Sequence, residues 1–389
     1  MTETAPSTEL TASLSSFANL RVVELGLWMA APAASALLAD LGAQVIKVEP
    51  KQGDPSRGYG ANANGEVLPT FALDNRRKRG MCLDLADPDG HAQLLALIEN
   101  ADVFVTNVRL STLRRARLMP EDLLPRFPRL VYGSITAFGS RGPDQDAPGF
   151  DVGAFWARSG LTHQFTPEGN PPTIPSGGYG DRITGLVLFS AILAALHERQ
   201  VTGRGGLVET SLLRSGSWLV GPDLGVHASL GRSRPTPHRH EAPNPLSNSY
   251  RTADGRWICL MGVEAGRHLT PVLTATGLHN LIGDERFVGA GIRANRRELI
   301  GLLDAAFGSE PLDTWRKRLD DAGVWWQLVQ LPDEILQDEQ VVQNDLLEDV
   351  QVGLDHAVPM IVSPFQVLGH REAGPARAPA LTSDAVTWE

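Results

Sequence analysis

The stretch SGGYGDRITGL, residues 176–186, sets Asp181 just behind three glycines and directly ahead of the apolar run LVLFSAILAAL. A carboxylate in that position has two chemical uses. As an acceptor for the free N–H groups of a first helical turn, it caps the helix that follows. As a nucleophile, it takes an acyl group from an activated carbonyl and splits one difficult step into easier ones. The glycines suit the second use, because a backbone without Cβ atoms lets N–H groups approach a reacting carbonyl and stabilise its oxyanion. A helix N-terminus beside Asp181 would also favour the ionised carboxylate. The two uses are compatible, and the stretch alone leaves both open.

Two basic clusters stand out from a chain whose net charge is -10, namely NRRKR at 75–79 and RLSTLRRARL at 109–118. The acidic balance excludes a general nucleic-acid binder, which carries a strongly basic domain. The clusters therefore either face water or serve a smaller anion, and Arg and Lys both suit phosphate. Cys82 and Cys259 sit in the apolar runs MCLDL and WICLM and are expected as buried structural thiols, without a disulfide framework. His238 and His240 in PHRHE lack Cys or carboxylate partners at ligand spacing, so no metal site is expected. His163 reads as a surface histidine.

The elements that must position Asp181 follow from the apolar pattern. RVVELGL, QVIKVEP, GMCLDL and DVFVTN read as strands, separated by helices through PAASALLADLG and DGHAQLLALIENA. The alternation is repeated toward RLVYGSIT and predicts an open, doubly wound parallel sheet. No GxGxxG closes the first strand, where GLWMAAP stands, so a dinucleotide site is disfavoured. From 139 to 180 the chain is rich in Gly and Pro around a helix in DVGAFWARSG, as expected of a site-forming segment. A helix is expected over about 182–199, then a strand in LVETSLL. YRTADGRWICLMG reads as a hairpin with an Asp-Gly turn.

The domain expectation is a disordered tail over 1–17, a large α/β domain over 18–225, a linker over 226–243, a small α+β domain over 244–335, and a C-terminal segment over 336–389 that returns to the large domain. The polar start MTETAPSTELTASLSS lacks the features of a signal peptide. The longest apolar run, around 186–196, falls short of the roughly 20 residues that cross a bilayer, so no membrane span is expected and the reading is cytoplasmic.

In combination, LLADLGAQVIKVEP (37–50), GDPSR (53–57), DNRRKRGMCLDL (74–85), ADVFVTNVR (101–109), GDRITG (180–185), AILAALHERQVTGRG (191–205) and YRTADG (250–255) resemble the class III coenzyme A transferases. That family also contains carnitine-CoA transferases, formyl-CoA transferases and alpha-methylacyl-CoA racemases. The resemblance implies a Rossmann-like sheet in the large domain and a homodimer of two interlocked chains. It implies that Asp181, in the pair Gly180-Asp181, is a covalent nucleophile that moves CoA from an acyl-CoA to a free carboxylic acid. It further implies that Asn75, Arg76, Lys78, Asn107 and Arg115 lie along the CoA groove, with CoA as substrate and no tightly bound cofactor, metal or nucleic acid. After Asn107 the chain reads Val-Arg-Leu-Ser where relatives often carry Phe-x-Pro-Gly, which marks a different loop. The racemase branch typically shows Gly-His-Asp where this chain has Gly149-Phe150-Asp151. Phenylalanine moves no proton, so transfer is favoured over epimerisation; a CoA-binding protein without activity is the remaining alternative. Met29, Trp28 and Trp156 hint at an acceptor less polar than oxalate.

Overall fold

Strands with apolar residues on both faces need cover on both sides, and the large unit provides it. A computed structural model describes residues 17–59, 69–232, 236–352, 356–366, 376–382 and 386–388. The chain divides into two compact units, one of residues 1–163, 173–233 and 339–389, the other of residues 164–172 and 234–338.

In the first unit the order is β1 (Arg21–Leu25), α1 (Ala30–Asp40), β2 (Gln44–Glu49), α2 (Pro69–Asn75), β3 (Arg79–Cys82), α3 (Pro88–Glu99), β4 (Val103–Thr106), α4 (Leu110–Arg115), α5 (Pro120–Leu123) and β5 (Val131–Thr136). There follow α6 (Leu161–Phe165), α7 (Tyr179–Thr202), β6 (Gly206–Ser211), α8 (Leu212–Leu219) and α9 (Gly221–Leu230). The sheet is parallel with strand order β3-β2-β1-β4-β5-β6. Successive residues of each strand face opposite layers. Val22, Val45, Val103 and Val131 pack with α1 and α7, whereas Val23, Ile46, Phe104 and Tyr132 pack with α3 and α4. The Rossmann-like α/β class expected from the pattern is the one observed.

Helix α1 is buried from Ala30 to Ala39. Its run of alanines lets α7 lie close, and the closest approach is at Gly185, where a Cβ would stand 2.7 Å from the Ala30 carbonyl oxygen. Helix α7 has 24 residues, longer at both ends than the sequence suggested, and by length and composition it could cross a bilayer. Leu188, Phe189 and Ile192 are buried in the core that α7 shares with α1 and the sheet. The apolar run inside α7 is still the one around 186–196; the helix is longer because Asp181, Arg182, Glu198 and Arg199 on either side are helical too.

The β3 edge is covered by the end of the chain. Arg77 N–H donates to Arg377 O at 2.7 Å and Cys82 N–H to Thr382 O at 2.8 Å. Gly80 permits this, since a Cβ there would meet the Ala380 carbonyl oxygen at 2.9 Å.

The second unit holds β7 (Ser249–Arg251), β8 (Trp257–Leu260), α10 (Ala265–Ala275), α11 (Ala290–Ala294), α12 (Arg296–Phe307), α13 (Leu312–Asp321) and β9 (Trp326–Leu328). Its antiparallel sheet runs β7-β8-β9, and β7 with β8 forms the hairpin expected at the Asp-Gly turn. Tyr250, Ile258, Phe307 and Trp315 centre its core. On β8 the sides alternate, so Ile258 and Leu260 are buried while Cys259 is exposed. Cys82 is only half-buried. Both thiols are free, and neither is the buried core residue expected: Cys259 is on a one-sided antiparallel strand that turns every second residue to water, and Cys82 is the last residue of the edge strand β3. A further hairpin of β10 (Leu347–Val352) and β11 (His356–Ile361) belongs to the first unit.

Gly185→Ala is expected to destabilise the fold by about 1–3 kcal/mol, as overpacking does in a tight interior. Thermal denaturation checks this, with a smaller shift expected for Gly206→Ala, where a Cβ meets nothing within 4 Å.

Candidate active site

Strand order reverses between β1 and β4, and the crevice at the carboxyl ends of those strands is where open α/β sheets bind ligands. Asn107, just after β4, ties the loop after β1: its Oδ1 accepts from Leu27 N–H at 2.9 Å and its Nδ2 donates to Leu27 O at 2.7 Å. Trp28 then turns through a left-handed conformation, φ 64, with its N–H held by Asp54 Oδ1 at 3.0 Å. A cleft of about 270 Å³ opens beside this loop, lined by Gly26, Leu27, Pro50, Leu85, Val108 and Thr112 among others. Arg115, exposed at the end of α4, reaches Thr112 Oγ1 at 3.3 Å and so stands at the cleft's margin.

Beneath the loop lies a buried ionic cluster. Glu24 Oε1 meets Lys47 Nζ at 2.8 Å, Glu24 Oε2 meets Lys78 Nζ at 2.6 Å, and Ser35 Oγ also donates to Glu24. Lys47 further pairs with Asp54 at 2.9 Å and donates to Gly26 O at 2.9 Å. Lys78 donates to Pro32 O at 2.9 Å, Asp74 O at 2.7 Å and Asn75 Oδ1 at 3.1 Å. Burial works to raise the Glu24 pKa, but Lys47 and Lys78 bring it down to about 2. Burial, with Lys47 as a like-charged neighbour, lowers Lys78 to about 8.

Asp181 sits in the first turn of α7. The N-cap is Gly178, at φ 69, and Asp181 is the third helical residue rather than the cap. The left-handed cap needs glycine, and a Cβ there would also collide with the Met29 sulfur. A Cβ on Gly180 would strike the Phe155 ring. The Gly180 N–H, which the sequence reading aimed at an oxyanion, donates instead to Asp151 Oδ2 at 3.2 Å. Asp151 is buried and opens a π-helical segment, Val152–Ala157, where an ordinary helix was expected. Such segments gather at functional sites. Burial raises the Asp151 pKa, opposed by the Gly180 and Val152 N–H groups and the Trp156 indole.

The carboxyl of Asp181 is pushed up to about 7, first by burial and then by the charges of Asp151 and Asp74. All three act against the helix N-terminus, which favours the ionised carboxylate. Asp74 is itself buried; Arg182 Nη2 meets its Oδ1 at 2.9 Å, and its Oδ2 has no hydrogen-bond partner among the described residues. Burial raises Asp74 despite Arg182, Arg76 and Lys78.

Asp181, Gly180 and Asn107 thus lie around the switch-point loop or the glycine turn beside it, and Arg115 lies at the cleft. Asn75 lies buried in the cluster beneath the loop as a partner of Lys78, and Arg76 and Lys78 are buried as well, Arg76 held by Asp40, the Leu73 carbonyl and the Val362 carbonyl. Their positive charge is balanced inside the fold, so the run NRRKR is not the open basic surface that its composition suggested. Sequence reasoning missed Asp151 and Asp74 as neighbours of Asp181. The Asp of Gly149-Phe150-Asp151 was in view, but only the fold shows it accepting from the glycine turn.

A family model described as CoA-transferase family III matches residues 17–385. The chain is 33% identical over 335 residues to "(R)-2-hydroxy-4-methylpentanoate CoA-transferase" of Clostridioides difficile, covering 85% of this chain and 83% of that one. It is 32% identical over 339 residues to "Cinnamoyl-CoA:phenyllactate CoA-transferase" of Clostridium sporogenes, covering 85% and 82%. A crystal structure of a CAIB/BAIF family protein from Brucella suis superimposes with a TM-score of 0.82 at 28% identity, covering 94% of this chain and 96% of that chain.

The penalty on ionised Asp181 is absent below the ordinary carboxyl value of 3.8, grows as pH rises past it and is complete above about 7. Asp181→Asn should therefore raise Tm above the wild type at pH 8 and much less at pH 4. A Tm difference that stays constant across that range would contradict this electrostatic account.

Proposed function

The chain belongs to CoA-transferase family III and is a CoA-transferase, and on that premise we propose that Asp181 is the covalent carrier in a transfer from an acyl-CoA to a free carboxylic acid. Enzymes of this family use CoA thioesters as substrates. The observation that carries the reading is the placing of one half-buried carboxylate in a tight glycine turn beside the switch-point loop, with its pKa raised to about 7.

The sequence of steps keeps the thioester's free energy in covalent form. Asp181 Oδ attacks the thioester carbonyl, the C–S bond breaks and CoA thiolate leaves, giving an aspartyl acyl anhydride. The thiolate then attacks the aspartyl carbonyl, which frees the donor acid and leaves an aspartyl-CoA thioester. The acceptor carboxylate attacks that thioester and releases the thiolate. The thiolate finally attacks the acyl carbonyl of the new anhydride, which forms the product acyl-CoA and restores Asp181. A carboxylate of raised pKa is the more basic and hence the better attacking group. Asp151, through the Gly180 N–H, fixes the turn without occupying the nucleophile.

CoA is assigned to the cleft beside Gly26 and Val108, with Arg115 at its margin for phosphate and Asn107 holding the cleft's wall. Phe150 packs edge-on against Trp28 at 5.5 Å and has no proton to give or take, which favours transfer over epimerisation at an α-carbon. We read the enzyme as a cytoplasmic homodimer. Its free thiols fit a reducing compartment, and α9 exposes Leu224 and Leu230 with no buried residue of its own.

Incubation with an acyl-CoA and hydroxylamine should inactivate the enzyme and leave a hydroxamate on Asp181. Asp181→Ala should lower transfer by about 10³-fold or more, as loss of a covalent nucleophile does, with CoA affinity retained. Since the ionised form attacks, kcat/KM should fall as pH drops below about 7; a flat profile from 5 to 8 argues against the assignment. Arg115→Ala should raise the Kd for CoA by about tenfold, the scale of one charge-assisted contact, and an unchanged Kd removes Arg115 from the site.

A further inference from the structure

Three large aromatic side chains stand together beside the Asp181 turn without belonging to the core. The Trp28 ring meets Tyr59 edge-on at 5.9 Å and Phe150 edge-on at 5.5 Å. Tyr59 is 51% exposed and Phe150 57% exposed. Trp28 itself is half-buried and held at φ 64, a backbone conformation that bulky residues adopt only when the surroundings impose it. Core packing explains neither the strain nor the exposure, whereas a contiguous apolar surface is a mark of a binding site.

Chain adjacency ties this cluster to the reacting carboxylate. Met29 follows Trp28 and puts its sulfur in the space that a Gly178 Cβ would take. Asp151 follows Phe150 and accepts the Gly180 N–H at 3.2 Å. Trp28 and Phe150 are therefore each one residue from a side chain that touches the turn carrying Asp181. The cation nearest in sequence to Asp181 is Arg182, and it is already paired with Asp74 at 2.9 Å. An acyl chain ending in a second carboxylate would meet the charges of Asp151 and Asp74 and find Arg182 engaged.

We propose that Trp28, Tyr59 and Phe150 form the acyl subsite and that it selects monocarboxylic acids bearing an aryl or a bulky apolar group. Ring edges and faces disposed at near right angles take a flat ring or a branched chain equally well. The inference rests on the covalent reading of Asp181 and adds to it the class of acid that is carried.

The test compares 3-phenylpropanoyl-CoA, butanoyl-CoA and succinyl-CoA as donors to one acceptor, acetate. The wild type should show kcat/KM at least about tenfold higher for 3-phenylpropanoyl-CoA than for succinyl-CoA, the discrimination expected of an apolar pocket. Phe150→Ala should reduce the ratio of 3-phenylpropanoyl-CoA to butanoyl-CoA by about tenfold, mainly through KM, and Phe150→Tyr should restore it. A merely structural Phe150 would lower all three donors alike together with Tm, and that result overturns the proposal. A preference for succinyl-CoA overturns it as well while leaving Asp181 as carrier. Absence of transfer from all three donors, without a hydroxamate on Asp181, overturns the covalent reading itself.

Discussion

The structure depends on one buried carboxylate shared between two ammonium groups. Glu24 projects from β1 and meets Lys47 from β2 and Lys78 from the segment before β3. Lys47 also pairs with Asp54 and donates to the Gly26 carbonyl, and Lys78 donates to the carbonyls of Pro32 and Asp74 and to Asn75 Oδ1. The cluster thereby fixes the turn after β1, the start of α1 and the end of α2 at once. Removing one member of such a set leaves the others buried and uncompensated, which costs about 3–5 kcal/mol. An apolar replacement of the whole set would fill the space equally well and lose the three backbone anchors.

From those anchors the active-site geometry follows by short steps. The turn after β1 carries Trp28 and Met29, and Met29 leaves room for nothing larger than glycine at position 178. Glycine at 178 starts α7 in the left-handed region, and Asp181 falls one turn in. The same α2 that supplies Asp74 O to Lys78 supplies the Asp74 carboxylate to Arg182. The turn is thus half-enclosed and has the carboxylates of Asp151 and Asp74 for neighbours, and burial first, then these like charges, push the Asp181 carboxyl up.

The parallel sheet, the order of its strands and helices, and the hairpin of the smaller unit were legible because their residues repeat with periods that sheets and helices impose. Asp181 stood out because glycines precede it and an apolar run follows it, but the stretch left a cap and a nucleophile both open, and the resemblance to a family chose between them. The charges were not legible. NRRKR is indistinguishable in sequence from a solvent-facing basic run, and inside the fold it is balanced by Asp40, 36 residues from Arg76, and Glu24, 54 residues from Lys78. Likewise the Asp181 carboxyl is pushed up by burial and then by Asp151 and Asp74, and no local pattern announces that three acidic residues so far apart will meet. Cys259 shows the converse limit: an apolar run was read as interior, yet strand alternation on a one-sided sheet turned its thiol outward.

The edge strand β3 is closed by residues 377–382, from the far end of the chain. A nascent polypeptide leaving the ribosome therefore exposes an unpaired sheet border, with its N–H groups at Arg77 and Cys82, until the partners 300 residues further along have been made. Closure across so long a stretch raises the contact order and slows folding, and in the interval the open border is a place where another chain could pair.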